Sequence, residues 1–308
     1  MKEIAITGGT GFIGQYFIRR ACSNGDIHIK CLSSQYDFNR YYSNENVKYV
    51  HCGIDQESVA RSISDCDTVI HLGSVVPNPE MHKQRLLTEC SENIVYTTNL
   101  LNACKECGIN NVVFASSISV YDNKQTTPCV ETQRCDPQTL YGVTKLAIEK
   151  IAGLYNCLYG MNVKSLRISQ VIGARKTIKR PVLNMLYENC IRAVPVTVFG
   201  TGTTAQDYIY VKDVAEAVIK AAAQEDTAGE FNIGLGREIS VNELAEAYCQ
   251  AFNNPAGIIH DQTKEERIIH WSMDIRKAED QLGFVPSYSL MDACLDMAEV
   301  YQEGTFLP

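Results

Sequence analysis

Thr7-Gly8-Gly9-Thr10-Gly11-Phe12-Ile13-Gly14 is the stretch that decides the fold. It follows Lys2 to Thr7, a short apolar run that reads as a buried strand. It precedes Phe12 to Cys22, whose apolar residues recur at helical spacing. In that strand–turn–helix setting the glycines predict a dinucleotide cradle. Gly8 permits the tight turn, Gly11 lets the backbone approach a pyrophosphate, and Gly14 lets the helix pack closely. The pyrophosphate would sit at the helix N-terminus, where free N–H groups and the dipole favour negative charge. Gly8, Gly11, Phe12, Ile13 and Gly14 are therefore cofactor-binding candidates.

Outward from this turn, strands and helices alternate. Strands are expected at Ile27 to Leu32, Val47 to His51, Thr68 to Leu72, Val112 to Ala115 and Val163 to Ile168. Helices are expected from Lys83 to Cys107 and from Tyr141 to Tyr159. Alternation of this kind predicts an α/β fold, a Rossmann-type doubly wound parallel sheet with crossover helices. The second half is less regular. Pro181 to Arg192, Asp213 to Ala223 and Val241 to Phe252 look helical. Val196 to Phe199, Asp207 to Val211 and Glu230 to Ile233 look like strands. The tail from Asp274 looks helical, with a turn at Gly283 to Ser287. The expected division is a dinucleotide-binding domain over 1–174, to which 203–236 returns, and a smaller C-terminal substrate-binding lobe from 175–202 and 237–308.

Bulk properties narrow the function. The 308 residues allow a substantial buried core, and 45% are apolar. The net charge is -8, with no block of Lys or Arg, which argues against a nucleic-acid partner. No apolar stretch reaches the roughly 20 residues of a membrane span, so no membrane partner is expected. No signal-peptide pattern opens the chain, so a cytoplasmic location is expected. The 13 cysteines are scattered and odd in number, and read as reduced, buried, small hydrophobes. Cys104 and Cys107 form one CxxC without a second pair or a nearby His, so no metal site is expected.

The second strand ends Cys31-Leu32-Ser33-Ser34, with no acid before Asp37. A carboxylate there would bond a ribose hydroxyl and repel a 2′-phosphate, whereas two serines would not. Ser33 is a cofactor candidate, the cofactor is NAD or NADP, and the ending leans toward NADP. Tyr141-Gly142-Val143-Thr144-Lys145 is a YxxxK, which on a helix puts both side chains on one face. The ammonium of Lys145, with a positive nicotinamide, would make Tyr141 a workable acid and base near neutral pH. With 16 tyrosines about one such spacing arises by chance, and Tyr208 with Lys212 is another. That second pair runs along a strand and lacks the helical geometry. The fifth strand continues into Ser116-Ser117-Ile118-Ser119-Val120-Tyr121, where a hydroxyl could bond the substrate oxygen that Tyr141 deprotonates.

With these segments in place, the chain resembles an extended short-chain dehydrogenase/reductase of the nucleotide-sugar epimerase/dehydratase type. Further matching segments are Val69 to Ser74, Asn93 with Asn99-Leu100-Leu101, Leu166-Arg167 with Gly173, Val198 to Gly202, Asp207 to Asp213, Phe231 to Gly234 and Leu282 to Pro286. The resemblance implies that Ser117 is the catalytic hydroxyl beside Tyr141 and Lys145. It implies that Leu72, Gly73, Ser74 and Ser116 line the cofactor. Gln170, in place of a usual Asn, would meet the substrate, and Val198 and Phe199 would flank the nucleotide base. Gln206 stands where an Arg is usual, and Arg267 would grip the diphosphate. It also implies a homodimer through the helices after the fourth and fifth strands.

Departures from that pattern shape the expected activity. Dehydratases of this type carry an Asp-Glu pair after the catalytic hydroxyl residue. Here those positions are Ile118 and Ser119, so elimination of water is not expected. The expectation is a nucleotide-sugar 4-epimerase acting on a UDP-hexose. The alternatives are an NADPH-dependent reductase of a 4-keto-6-deoxy nucleotide-sugar and a non-catalytic cofactor sensor.

Overall fold

Lys2–Thr7 (β1) lies inside a seven-stranded parallel sheet, and its last four residues are buried. Such a strand needs a near-continuous apolar run, because helices cover both faces of a parallel sheet. The computed structural model describes residues 2–23, 25–75, 83–121, 126–175, 181–266 and 268–305. After β1 come α1 (Phe12–Cys22), β2 (Ile27–Ser33), β3 (Val47–His51), α2 (Gln56–Ile63), β4 (Thr68–His71), α3 (Lys83–Glu106) and β5 (Asn111–Ser117). A 3₁₀ turn, Ile118–Val120, precedes α4 (Leu140–Tyr159) and β6 (Asn162–Ile168). The chain continues through β7 (Gln170–Ile172), α5 (Pro181–Ile191), β8 (Val196–Phe199), β9 (Ala205–Gln206), β10 (Tyr208–Tyr210), α6 (Val211–Ala223) and β11 (Gly229–Ile233). It closes with β12 (Ile239–Ser240), α7 (Val241–Ala251), β13 (Ile258–Asp261), α8 (Arg276–Leu282) and α9 (Leu290–Glu303).

The sheet order is β3-β2-β1-β4-β5-β6-β11, the doubly wound Rossmann arrangement expected. Chain direction across the sheet reverses between β1 and β4, and ligands of such sheets bind outside the carboxyl ends at that point. One face is covered by α2, α3 and α4, through Val59, Ile63, Leu100, Ile148 and Ala152. The other packs α1 and α6, through Phe17, Ile18, Val214 and Val218, in a core that runs on to Leu244 and Met297.

Two buried carboxylates bind later loops to this frame. Asp207 accepts from the backbone of Leu235 (2.7 Å), Gly236 (2.9 Å) and Met273 (3.3 Å). Burial raises its pKa although these bonds oppose the shift. Asp213 accepts from Ser287 N (2.9 Å), Ser287 Oγ (2.8 Å) and Tyr288 N (3.2 Å), holding the turn between α8 and α9 onto α6.

The structure departs from the sequence reading in local ways. The helix α2 was not anticipated: only Val59 and Ile63 of its eight residues are buried, and its start is marked by Asp55, which accepts from Ser58 N. The helix α6 begins at Val211, two residues early, and its strand shortens to Tyr208–Tyr210. Tyr208 therefore sits on a strand and Lys212 in the first helical turn after it, so this second YxxxK is not a helical face. Cys104 lies on α3 with its side chain buried in the core, and the turn after that helix contains Gly108 at φ +74°.

Candidate active site

The glycine turn is shaped by contact as much as by conformation. Gly8 adopts φ +70°, and a Cβ there would lie 2.4 Å from Gly73 N. The turn after β1 thus rests on the turn after β4. The close packing at Gly14 is against the turn itself: its Cβ would fall 2.3 Å from Gly8 O and 2.6 Å from Gly9 Cα. It lets the helix close onto its own entry turn. Gly9, which was not singled out, is equally constrained, with a Cβ 2.4 Å from Cys31 Sγ on β2.

Among the described residues no side chain caps the amino end of α1, whose cap residue is Gly11. Its first N–H groups are the donors a phosphate would take up. Arg175 lies with its guanidinium 5.0 Å from the Phe12 ring, which places a cation beside this end; nothing in the sequence reading pointed to it. Ser74 Oγ is buried without a hydrogen-bond partner among the described residues. A buried hydroxyl without a partner and an uncapped helix end fit the dinucleotide the sequence implies.

The segment Leu72 to Val75 is held from behind. Asn93 accepts from Val75 N (2.7 Å) and donates to Val75 O (3.0 Å). His71 Nδ1 is 2.5 Å from Thr7 Oγ1, and its Nε2 is 3.0 Å from Thr97 Oγ1. Thr97 donates its own proton to Asn93 O at 2.7 Å, so His71 Nε2 is the donor and Nδ1 accepts from Thr7. Burial, reinforced by the charge of Lys145, pushes the His71 pKa down to about 3, which keeps the ring neutral.

Tyr141 and Lys145 lie on one face of α4, with the ammonium 5.5 Å from the phenol ring centre. Thr139 caps this helix by accepting from Gly142 N (3.1 Å). Gly142 brings the first turn against the serine loop: a Cβ there would be 2.1 Å from Ser119 O. Lys145 donates to Ala115 O on β5 at 2.7 Å. It is 3% exposed, and burial lowers its pKa to about 8 while Glu149 opposes the shift.

The remaining candidates occupy distinct places. Ser117 Oγ donates to Ser119 Oγ (3.1 Å) and accepts from Ser119 N (3.2 Å), capping the 3₁₀ turn at the edge of the site. Ser116 faces the other way, and its hydroxyl is buried on Glu149 at 2.5 Å. Ser33 ends β2 and accepts from Gln35 N (3.2 Å). Gln170 pairs in register with Tyr208, which places it near Gln206 at the end of β9. Val198 is packed in the core, Phe199 is half-buried, and both lie on β8 where it pairs with β13. Arg267 lies outside the described residues.

Its neighbour Glu266 is a residue the sequence reading missed. The carboxylate accepts from Thr201 N (2.6 Å), Thr201 Oγ1 (2.7 Å), Gly202 N (3.2 Å) and Thr204 N (3.0 Å). The turn can present these donors because Gly200 and Gly202 have φ of +64° and +69°. Partial burial would raise its pKa, but the bonds from Thr201 and Thr204 outweigh that and hold it at about 2. The signal was the paired glycines of the turn, though the anion that fills it comes from sixty residues further along.

Comparison with known proteins identifies the family and the fold. Residues 4–234 match the family described as the NAD dependent epimerase/dehydratase family. A dTDP-4-dehydro-6-deoxyglucose reductase of Escherichia coli is 29% identical over 311 residues, covering 94% of both chains. The UDP-N-acetylglucosamine 4-epimerase of Bacillus cereus superposes with a TM-score of 0.86 at 28% identity, over 98% of this chain and 97% of that one. The UDP-glucose 4-epimerase of Thermotoga maritima gives 0.85 at 25% identity, over 98% and 99%. Among the described residues no helix is long and apolar enough to cross a membrane.

Proposed function

We propose, from the premise that the chain belongs to the NAD dependent epimerase/dehydratase family and is a nicotinamide-dependent enzyme of the extended short-chain dehydrogenase type, that it is a nucleotide-sugar 4-epimerase acting on a UDP-hexose. The observation that carries this reading is the turn after Ser117. It holds Ile118 and Ser119 where elimination chemistry would need a carboxyl pair, while Tyr141 and Lys145 keep their shared helical face. Similarity to two UDP-sugar 4-epimerase structures supports it.

Each residue has a defined task. Gly8, Gly11, Phe12, Ile13 and Gly14 would hold the pyrophosphate, and Leu72, Gly73 and Ser74 would line the dinucleotide. A bound nicotinamide would supply hydride acceptor and donor chemistry at sugar C4. Tyr141 accepts the 4-hydroxyl proton and later gives it back, so the sugar passes through a 4-keto form. Lys145 holds positive charge beside the phenol, and Ser117 orients the sugar oxygen. Gln170, Phe199, Gln206 and Arg267 bind the remainder of the nucleotide-sugar. The enzyme works as a homodimer through α3 and α4, which Tyr155 Oη joins by donating to Asn102 Oδ1 at 2.7 Å. Val95, Leu154 and Leu158 on these helices are 53%, 57% and 66% exposed.

Mass spectrometry of nucleotide released from freshly purified protein tests the reading. Stoichiometric NAD, with interconversion of a UDP-hexose and its 4-epimer that stops on Tyr141→Phe, is expected. Protein that emerges empty, prefers NADPH and consumes it stoichiometrically overturns epimerisation in favour of a 4-keto-sugar reductase. That second reading is favoured by Arg40, which bonds Tyr41 Oη (2.7 Å), which in turn bonds Gln35 (2.6 Å) in the turn after Ser33. The reductase relative supports it as well.

A further inference from the structure

We propose that Glu149 is a positioning residue of this site, acting through Lys145 and the carboxyl end of β5 without touching substrate or cofactor. It rests on the roles given to Tyr141 and Lys145 above. Tyr141, Lys145 and Glu149 are spaced four apart, so one stripe of α4 presents all three in successive turns. Each of the latter two holds a different atom of consecutive β5 residues. Lys145 takes the Ala115 carbonyl at 2.7 Å, and Glu149 takes the Ser116 hydroxyl at 2.5 Å. The next residue along is Ser117. The loop that carries the third reactive side chain is thus fixed to the helix that carries the other two.

A carboxylate that is 1% exposed needs a counter-charge, and Arg167 on β6 supplies one that is 2% exposed. Its Nε reaches Glu149 Oε1 at 3.0 Å and its Nη2 reaches Oε2 at 2.8 Å, a bidentate pair. The other arm is engaged as well, since Nη1 donates to Tyr121 Oη (2.8 Å) and Glu131 O (3.0 Å). The titratable and charged groups about Lys145 among the described residues are Tyr141 and Glu149 on its own helix, His71 on β4 and, beyond Glu149, Arg167 on β6. His71 is neutral, so Glu149 is the carboxylate that opposes desolvation of the ammonium. A buried acid serving only the fold would not need to stand one turn from this lysine.

The test follows the lysine itself. Protein labelled with 13C at lysine Cε is titrated by NMR from pH 6 to 10.5, with the Lys145 signal assigned by its loss in Lys145→Met. Wild type is expected to titrate near 8. Glu149→Gln is expected to lower the midpoint by about half a unit to one unit, because Arg167 already offsets part of the charge. The alkaline limb of kcat should fall with it, while the stoichiometry of bound dinucleotide stays unchanged. Ser116→Ala, which keeps the charge, should leave the midpoint in place. Should Glu149→Gln not fold, Glu149→Gln with Arg167→Leu removes both charges together and is expected to shift the midpoint the same way. An unmoved midpoint, or an equal shift in Ser116→Ala, overturns the proposal. Absence of turnover on any sugar would count against the epimerase alone, since the titration needs no substrate.

Discussion

Ser116 and Arg167 stand directly opposite each other in the β5–β6 register, and both bond the same carboxylate, Glu149. The row continues one strand further. Arg167 is in register with Asn232 on β11, and Tyr121 Oη bridges the two, accepting from Arg167 (2.8 Å) and donating to Asn232 Oδ1 (2.7 Å). Three adjacent strands are therefore linked by buried polar side chains. Such a network is favourable only when every member is satisfied.

Its sensitivity follows. Arg167→Ala leaves Glu149 buried and unpaired, and should destabilise the protein by about 3–5 kcal/mol in urea unfolding. Arg167→Met with Glu149→Leu, which removes both charges and retains volume, should lose much less. If the single and double variants unfold at the same urea concentration, the pair is not what holds this row.

Crowding of the glycine turn gives a second expectation. Gly9 has no positive φ, so an alanine there suffers only from its neighbours, chiefly Cys31 Sγ at 2.4 Å and Ile18 Cδ1 at 3.0 Å. Gly9→Ala should cost about 1–3 kcal/mol. Cys31→Ala alone leaves a small cavity, but it removes the atom in the way. The double variant should recover about 1 kcal/mol or more relative to additivity. Strict additivity in chemical denaturation would show that Cys31 Sγ is not the contact that excludes a side chain at this position.

What the sequence revealed, and what it did not, divides along a physical line. The strand β1 and the helix α1 were legible to the residue, because a buried apolar run and a 3.6 period are local signals. Tyr141 and Lys145 were legible because their helical spacing fixes their common face. The strands β7, β9, β12 and β13 were not, since each is two to four residues long and pairs with a distant segment. Glu149, Asn93 and Glu266 escaped notice as functional groups for the same reason. An acid four residues after a lysine reads as a solvated helical pair until the fold brings Arg167 and Ser116 to it. Gly142 was the missed local clue: a glycine directly after the reactive tyrosine signals that something must approach the helix there, and that is Ser119 O.

The outer face of α3 and α4 predicts assembly. Leu154 and Leu158 are one turn apart and mostly exposed, so changing them leaves the core of the protomer intact. Leu154→Lys with Leu158→Glu should halve the particle mass, from about twice 34.3 kDa to one chain, in sedimentation equilibrium. An unchanged mass would place any dimer contact elsewhere.

Toward the amino ends of the strands, away from the active site, Lys164 is buried near the start of β6, and among the described residues no carboxylate bonds its ammonium. It donates instead to Asn111 Oδ1 (2.7 Å) and Asn162 O (3.2 Å). Burial, assisted by the charge of Lys2, lowers its pKa to about 8 from the 10.5 of a free lysine. Between these values the unfolded chain holds more protons than the folded one, so stability rises with pH across that window. The cost of burying the charge is fully present below about pH 8 and vanishes above about 10.5. Lys164→Met lacks this dependence. Lys145 has a similar shift, so only the difference between wild type and Lys164→Met isolates the residue. Wild type should gain on the variant by about 1–3 kcal/mol between pH 8 and 10.5 in urea unfolding. A difference that stays flat across that range would mean that Lys164 keeps an ordinary pKa and that its two neutral oxygen partners suffice to hold its charge.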